Sequence, residues 1–185
     1  DYIIASDTDS IYVTFDDLVN KSFGERTDVS TERVINFLDE IAKEKMEPYI
    51  DKCFIELAEY VKAYAQRMEM SREVIADKGI WTAKKRYILN VHDSEGVRYA
   101  EPQLKIMGIE AVKSSTPGPC REKIKEVLKV IVNEDSVAVN NFIQEFRKEF
   151  MSLPVENIAF PRSVNGLRKW SDSNGIFKKK CPMHI

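Results

Sequence analysis

The chain has 185 residues, 43% of them apolar and 31% charged, with a formal net charge of −2. That length supports a buried core and one or two small domains, and the composition is that of a globular protein and not of a disordered tail. No apolar run reaches the roughly 18 residues of a membrane-spanning helix, and no signal-peptide pattern opens the sequence.

In chain order, Tyr2 to Ala5 is a short apolar run, and Ile11, Val13 and Phe15 alternate with Tyr12 and Thr14, the period of a half-buried strand. The polar stretch Ser6 to Ser10 lies between them, which predicts a β-hairpin with acidic residues at its turn. Residues 16–29 read as a loop containing Gly24. Ser30 or Thr31 caps a helix carrying Ile35, Leu38, Ile41 and Ala42 at helical spacing. Pro48 kinks or ends it, and the pattern resumes with Ile50, Phe54, Leu57, Tyr60 and Val61, ending near Gln66.

Met70 to Ala76 predicts a strand, Asp77-Lys78-Gly79 a turn, and Trp81 to His92 a longer strand. Asp93-Ser94-Glu95-Gly96 is a hairpin turn, Val97 to Ala100 its return strand, and Leu104 to Ile109 a further apolar stretch. Thr116 caps the next helix and Pro117 opens it, with Ile124, Val127, Leu128 and Ile131 as its apolar stripe. A second helix carries Val139, Phe142, Ile143, Phe146 and Phe150, antiparallel to the first and joined near Asn133-Glu134-Asp135. Beyond Pro154 the chain is irregular, with a short helix around Val164 to Trp170. The expectation is an α+β fold: antiparallel strands backed by a long helix over 1–108, then a mainly helical part over 109–185.

Charge is unevenly placed. Residues 77–125 carry ten Lys/Arg against six Asp/Glu, and residues 161–185 six against one, which leaves the remainder acidic. A basic second half permits an anionic partner on one face, although ordinary solvated charge gives the same pattern. Cys53, Cys120 and Cys181 are scattered, which argues for a reducing compartment, hence the cytoplasm, and against a disulfide framework. Cys181-x-x-His184 is half of a zinc pattern with no second ligand pair. The opening Asp1-Tyr2-Ile3-Ile4-Ala5 reads as a strand already under way, so the expectation is a piece of a longer protein.

Two segments carry chemistry. Asp7 and Asp9 are two residues apart, so in an extended chain their side chains share one side. Two carboxylates held together repel unless a cation lies beside them. Oxygen-only ligands suit Mg²⁺, and such a pair fits phosphoryl transfer. A solvated turn has the same residues, and so does a phosphatase of the haloacid-dehalogenase type, in which an apolar strand leads into Asp-x-Asp. That phosphatase needs a helix soon after the strand, whereas here the alternating Ile11-Tyr12-Val13-Thr14-Phe15 follows. Lys84-Lys85-Arg86-Tyr87 falls in the predicted Trp81–His92 strand, with Lys85 and Tyr87 on one face and Lys84 and Arg86 on the other. Cations in such a strand bind phosphates without regard to sequence, or else protect an exposed sheet edge. A nucleic-acid-binding module without catalysis is therefore a third reading.

Ser6-Asp7-Thr8-Asp9-Ser10-Ile11-Tyr12-Val13 resembles the third conserved palm motif of family B DNA polymerases, Tyr-Gly-Asp-Thr-Asp-Ser, with Ala5-Ser6 in place of Tyr-Gly. Lys84-Lys85-Arg86-Tyr87 is similar to the Lys-Lys-x-Tyr element that follows that hairpin in the family, and Met70-Ser71-Arg72-Glu73 to the strand before it. Leu104 to Glu110, Ser114-Ser115-Thr116-Pro117, Ala159-Phe160-Pro161-Arg162 and Cys181-Pro182-Met183-His184-Ile185 resemble the palm-to-thumb passage and thumb of T-even-like bacteriophage members.

The resemblance implies residues 1–108 as the C-terminal part of a palm and 109–185 as the start of a thumb. It implies a parent enzyme that extends a DNA primer on a template with deoxynucleoside triphosphates, in the cytoplasm of an infected host if phage-encoded. Asp9 would be the ligand shared by two Mg²⁺ ions, Asp7 a neighbouring carboxylate and Glu73 an accessory one. Lys84, Lys85, Arg86 and Tyr87 would hold primer-template DNA. Lys113, Ser115 and Thr116, at a helix start, would hold a phosphate. A further Asp and the triphosphate-binding fingers would lie outside the 185 residues, so the piece alone is expected to be inactive. A sliding clamp is the expected partner of the whole enzyme.

Overall fold

In the computed structural model, residues 2–24, 29–162 and 165–178 are described. The chain divides into two compact units, Asp1–Met107 and Gly108–Ile185, and its class is α+β.

The first unit opens on a two-stranded antiparallel ribbon, β1 (Ile3–Asp7) and β2 (Ser10–Val13), paired in the register Asp7↔Ser10 and Ser6↔Ile11. The segment expected as loop then contains a helix, α1 (Asp16–Phe23), closed by Gly24 at φ +61°. Its first residue has no side-chain cap, which is why no start signal is legible. Its support is tertiary: the Phe23 ring meets Phe37 edge-on with centroids 5.2 Å apart, and Arg33 lies over Phe23.

Ser30 caps α2 (Thr31–Ile41) as expected, accepting from the Arg33 N–H. The irregularity that follows precedes Pro48. Residues Ala42–Met46 form a π-turn that runs without a break into α3 (Glu47–Tyr60), the Glu47 N–H donating to Ala42 O, so Pro48 lies in a continuous helix just after the π-bulge. α3 stops at Tyr60 and not near Gln66, since Lys62 turns left-handed at φ +55°.

The three-stranded sheet, β3 (Val74–Ala83), β4 (Arg86–Ser94) and β5 (Val97–Met107), is antiparallel in the order β3-β4-β5. It corrects three expectations. The Met70–Ala76 strand begins only at Val74, and there is no turn at Asp77-Lys78-Gly79. β3 runs through those residues because Asp77 accepts a 2.8 Å hydrogen bond from Asn90 Nδ2 on β4, and the Trp81 ring covers Gly79. A Cβ at Gly79 would lie 2.6 Å from the indole and 2.9 Å from Leu89 Cδ2, so this glycine serves close packing and not a turn. Gly79→Ala is expected to destabilise the chain by about 1–3 kcal/mol, read as a lower urea midpoint. Finally, Val97 to Met107 is one edge strand. Pairing jumps from Val91↔Gln103 to Asp93↔Arg98, which leaves Pro102 in a bulge where no ladder N–H is required.

The core of this unit combines Ile75, Ile88, Leu89 and Val91 from the sheet with Ile35 and Ala42 from the helices. An ionic hub fastens the two layers. Arg72 donates to Asp39 Oδ1 through Nη2 at 2.6 Å and Nε at 3.0 Å, and also to Asp93. Its own N–H donates to Glu47 at 2.9 Å. Asp93 further accepts from the Gly96 N–H and from Arg98 Nε, both at 3.0 Å.

In the second unit, a 3₁₀ turn (Glu110–Val112) leads to α4 (Gly118–Asn133), which packs on α5 (Ser136–Ser152). The expected start of α4 is corrected: Pro117 is the cap residue, the helix begins at Gly118, and Thr116 makes no capping bond. Thr116 is instead buried, its N–H donating to Lys113 O. Asp135 caps α5 by accepting from Val137 and Ala138 N–H groups. Lys123 joins the two helices through Glu149 at 3.2 Å and the Phe142 ring. A short α6 (Val155–Ile158) and a 3₁₀ turn at Leu167–Lys169 follow, the latter in place of the helix expected over 164–170. The Cys181 and His184 of the half zinc pattern lie outside the described residues.

Candidate functional site

The acidic residues sit on a turn of two residues. Asp7 ends β1, Ser10 starts β2, and Thr8 and Asp9 span the gap. Asp9 N–H donates to Asp7 O at 2.7 Å across Thr8, whose φ is +57°. That conformation is unfavourable for a β-branched residue, of order 1–3 kcal/mol, and such strain concentrates at functional turns. Thr8 Oγ1 donates to Asp7 Oδ1 and Ser10 Oγ to Asp7 O, both at 3.1 Å. Asp7 is thus held and half-buried while Asp9 is exposed. Because the chain turns between them, the alternation rule of an extended strand no longer governs the pair.

The basic residues also sit on a turn. Ala83 pairs with Arg86, so Lys84 and Lys85 are the hairpin connection between β3 and β4, with Lys85 left-handed at φ +61°. This corrects the expected strand and the two-faced placement of its side chains. Both lysines are exposed at the tip, and Arg86 and Tyr87 begin β4.

The fold brings these two turns together. Lys85 Nζ lies 3.7 Å from Asp7 Oδ1. With Lys85 two-thirds exposed, this pair contributes at most about 1 kcal/mol, and it locates the turns more than it holds them. Between them, Ala5, Ser6, Asp7, Tyr12, Trp81, Ala83, Lys84, Lys85 and Tyr87 line a cleft of about 250 Å³. Its wall is aromatic. Tyr12 meets Trp81 edge-on at 5.3 Å and Tyr87 at 5.4 Å, and Trp81 and Tyr87 are 6.3 Å apart. Burial raises the Tyr87 hydroxyl well above the ordinary tyrosine value, helped by its hydrogen bond with Tyr12 and by the negative charge of Glu73 and Asp7. Tyr87 therefore stays a neutral hydrogen-bonding group at physiological pH.

As donors, Asp7 and Asp9 present only oxygen, which suits a hard divalent cation such as Mg²⁺. Among the described residues no group of three or more Asp, Glu, His or Cys side chains converges on one point. Glu73 is ion-paired with Lys105 on β5 and more than half exposed.

Over its whole length the chain is similar to two curated proteins. It is 44% identical, over 192 aligned residues, to the DNA-directed DNA polymerase of Escherichia phage RB69, and 39% identical, over 197, to that of Enterobacteria phage T4. Along its whole length the chain is thus similar to one segment of these phage DNA-directed DNA polymerases. It spans 21% of the length of each of the two relatives. No family model matches the chain.

The residues singled out from the sequence fall in two places. Asp7, Lys84, Lys85 and Tyr87 line the cleft, whereas Asp9 on the acidic turn and Arg86 at the start of β4 are not among its lining residues; Glu73 is near enough to act electrostatically on Tyr87. Lys113, Ser115 and Thr116 belong to the second unit, where Lys113 is ion-paired with Glu110 at 3.0 Å, Ser115 is exposed and Thr116 buried. Sequence reasoning missed Tyr12 and Trp81 as parts of the site. Tyr12 was legible only as an alternating strand residue, and its partners lie about 70 positions away.

Proposed function

We propose that the protein carrying this segment is a template-directed DNA polymerase of family B. The primer 3′ hydroxyl attacks the α-phosphate of a deoxynucleoside triphosphate, and pyrophosphate leaves. The observation that carries the reading is the acidic turn set against the basic turn across one aromatic cleft, in a chain similar along its whole length to two phage DNA polymerases. Residues 1–108 are then the C-terminal part of the palm and 109–185 the start of the thumb.

Asp9, exposed at the tip of the turn, would be the ligand shared by two Mg²⁺ ions, with Asp7 the carboxylate beside it and Glu73 at most an accessory. Bound there, the ions would supply charge stabilisation to the attacking and leaving oxygens. A further Asp from outside these 185 residues completes the set, so the segment alone is inactive. Lys84 and Lys85 hold the phosphates of primer-template DNA, with Arg86 and Tyr87 beside them. Lys113 and Ser115 give the thumb a phosphate contact, with Thr116 supporting the turn from within. A sliding clamp is the partner of the whole enzyme.

The hairpin counts against the haloacid-dehalogenase alternative, because β2 returns directly from the acidic turn where that fold would need a helix. The polymerase reading is tested by primer extension with the full-length protein, which must yield template-dependent product. In the same protein, Lys85→Ala is expected to weaken primer-template binding and to reduce the slope of log affinity against log salt by about one. An unchanged slope would remove Lys85 from the phosphate contacts.

A further inference from the structure

The acidic ribbon and the three-stranded sheet are separate sheets. No backbone ladder joins β1–β2 to β3–β4, and the ion pair from Lys85 to Asp7 that spans them is long, with its lysine largely exposed. A bond of that kind does not set a distance to within an ångström. Aromatic contact joins the two elements: Tyr12 of β2 packs against both Trp81 of β3 and Tyr87 of β4, which also touch each other.

We infer that Tyr12, backed by Trp81, is a positioning residue that sets the acidic turn in register with the basic turn, and so aligns the reacting end of the primer with the triphosphate. The inference rests on the polymerase reading above. Tyr12 lies two residues from Ser10 on a four-residue strand, so a displacement of its ring is carried directly to Thr8 and Asp9. Trp81 is itself fixed from behind, since its ring closes over Gly79 beside Leu89, a buried core residue. Tyr87, which pairs with Trp81 across the β3–β4 ladder, is one residue beyond Arg86 and two beyond Lys85. One ring thus touches the element that holds each turn. Aromatic pairs such as the edge-on Tyr12–Trp81 contact and the tilted Tyr12–Tyr87 contact contribute about 0.5–1.5 kcal/mol each and are directional, which suits a register device.

The test uses the full-length protein and single-turnover incorporation, normalised to the concentration of active sites. Tyr12→Ala is expected to lower the incorporation rate by about tenfold to a hundredfold, the effect of misplacing reacting groups by about an ångström. Primer-template affinity and its salt slope stay near wild type, because the lysines remain. Tyr12→Phe keeps the ring and loses only the hydroxyl, and is expected to recover to within about threefold of wild type, a hydrogen bond's worth. A residue that merely stabilised the fold would reduce the number of active sites and leave the rate per site alone. A Tyr12→Ala rate per site within twofold of wild type would overturn the inference. So would a Tyr12→Phe rate as low as that of Tyr12→Ala. If the wild-type protein extends no primer, the polymerase reading itself fails, and that outcome is separate because it appears before any variant is made.

Discussion

Asp9→Ala in the full-length protein is expected to abolish template-directed extension, by about a thousandfold or more, while primer-template binding stays largely intact. A carboxylate that holds a divalent ion at a phosphoryl-transfer centre governs several kcal/mol of transition-state stabilisation, and each 1.4 kcal/mol or so is tenfold in rate. Asp9 is suited to that role by where it stands. It is exposed at the tip of the turn, its backbone N–H is tied to Asp7 O, and no side-chain bond of its own competes for the carboxylate among those described. Asp7 differs, with its oxygen accepting from Thr8 and facing Lys85. Asp7→Ala is therefore the milder of the two substitutions. Single-turnover incorporation measured beside equilibrium binding decides the matter, and extension surviving at wild-type rate in Asp9→Ala would end the metal-ligand assignment.

The largest expected effect on stability lies away from the cleft, at the Arg72 hub. Asp93 is 1% exposed and Arg72 11% exposed at the side chain. Asp93→Ala leaves the guanidinium with Asp39 alone in a buried site, at a cost of about 3–5 kcal/mol. That is a large part of the stability of an ordinary domain. The same residues set a pH dependence. Burial pushes the Asp93 carboxyl up, but hydrogen bonds from Arg72, Gly96 and Arg98 together outweigh it and hold it below the ordinary value. Asp39 is lowered chiefly by Lys43, then by Arg72 against the opposing effect of burial. Carboxylates depressed in the folded state stabilise it fully above their unfolded value, near 4, and lose that contribution as the pH falls through the folded value. Urea unfolding of the chain is expected to be flat in pH above about 5 and to weaken steeply below about 4. In Asp93→Asn the acid slope should be shallower. An unaltered slope would mean that the hub does not carry the acid sensitivity.

The hub also shows where the sequence stops being informative. Asp39, Arg72 and Asp93 are an unremarkable trio along the chain, separated by 33 and 21 positions. Nothing local marks them, because ion pairing between layers depends on how a helix lies across a sheet. The same holds for α1, whose support comes from Phe37, and for Gly79. A glycine after Asp-Lys reads locally as a turn, and only the indole above it shows that the backbone is extended.

Local chemistry did specify much. Alternation around Ile11 to Phe15 marked the acidic hairpin, Ser30 marked the start of α2, Asp93 to Gly96 marked the second hairpin, and helical spacing marked α4 and α5. These signals are legible because backbone hydrogen bonding and one-sided burial repeat with the period of the element. The order of acidic hairpin, helices and basic segment was likewise readable, and with it the resemblance to the phage polymerases. Tertiary structure alone decided that Lys84 and Lys85 are a turn and not a strand, that this turn faces Asp7, and that Tyr12 packs on both Trp81 and Tyr87. Those facts depend on the register of β3 against β4 and on how a second, unladdered sheet settles beside it. Register and sheet placement come from side chains about 70 residues apart, for which a linear sequence carries no period.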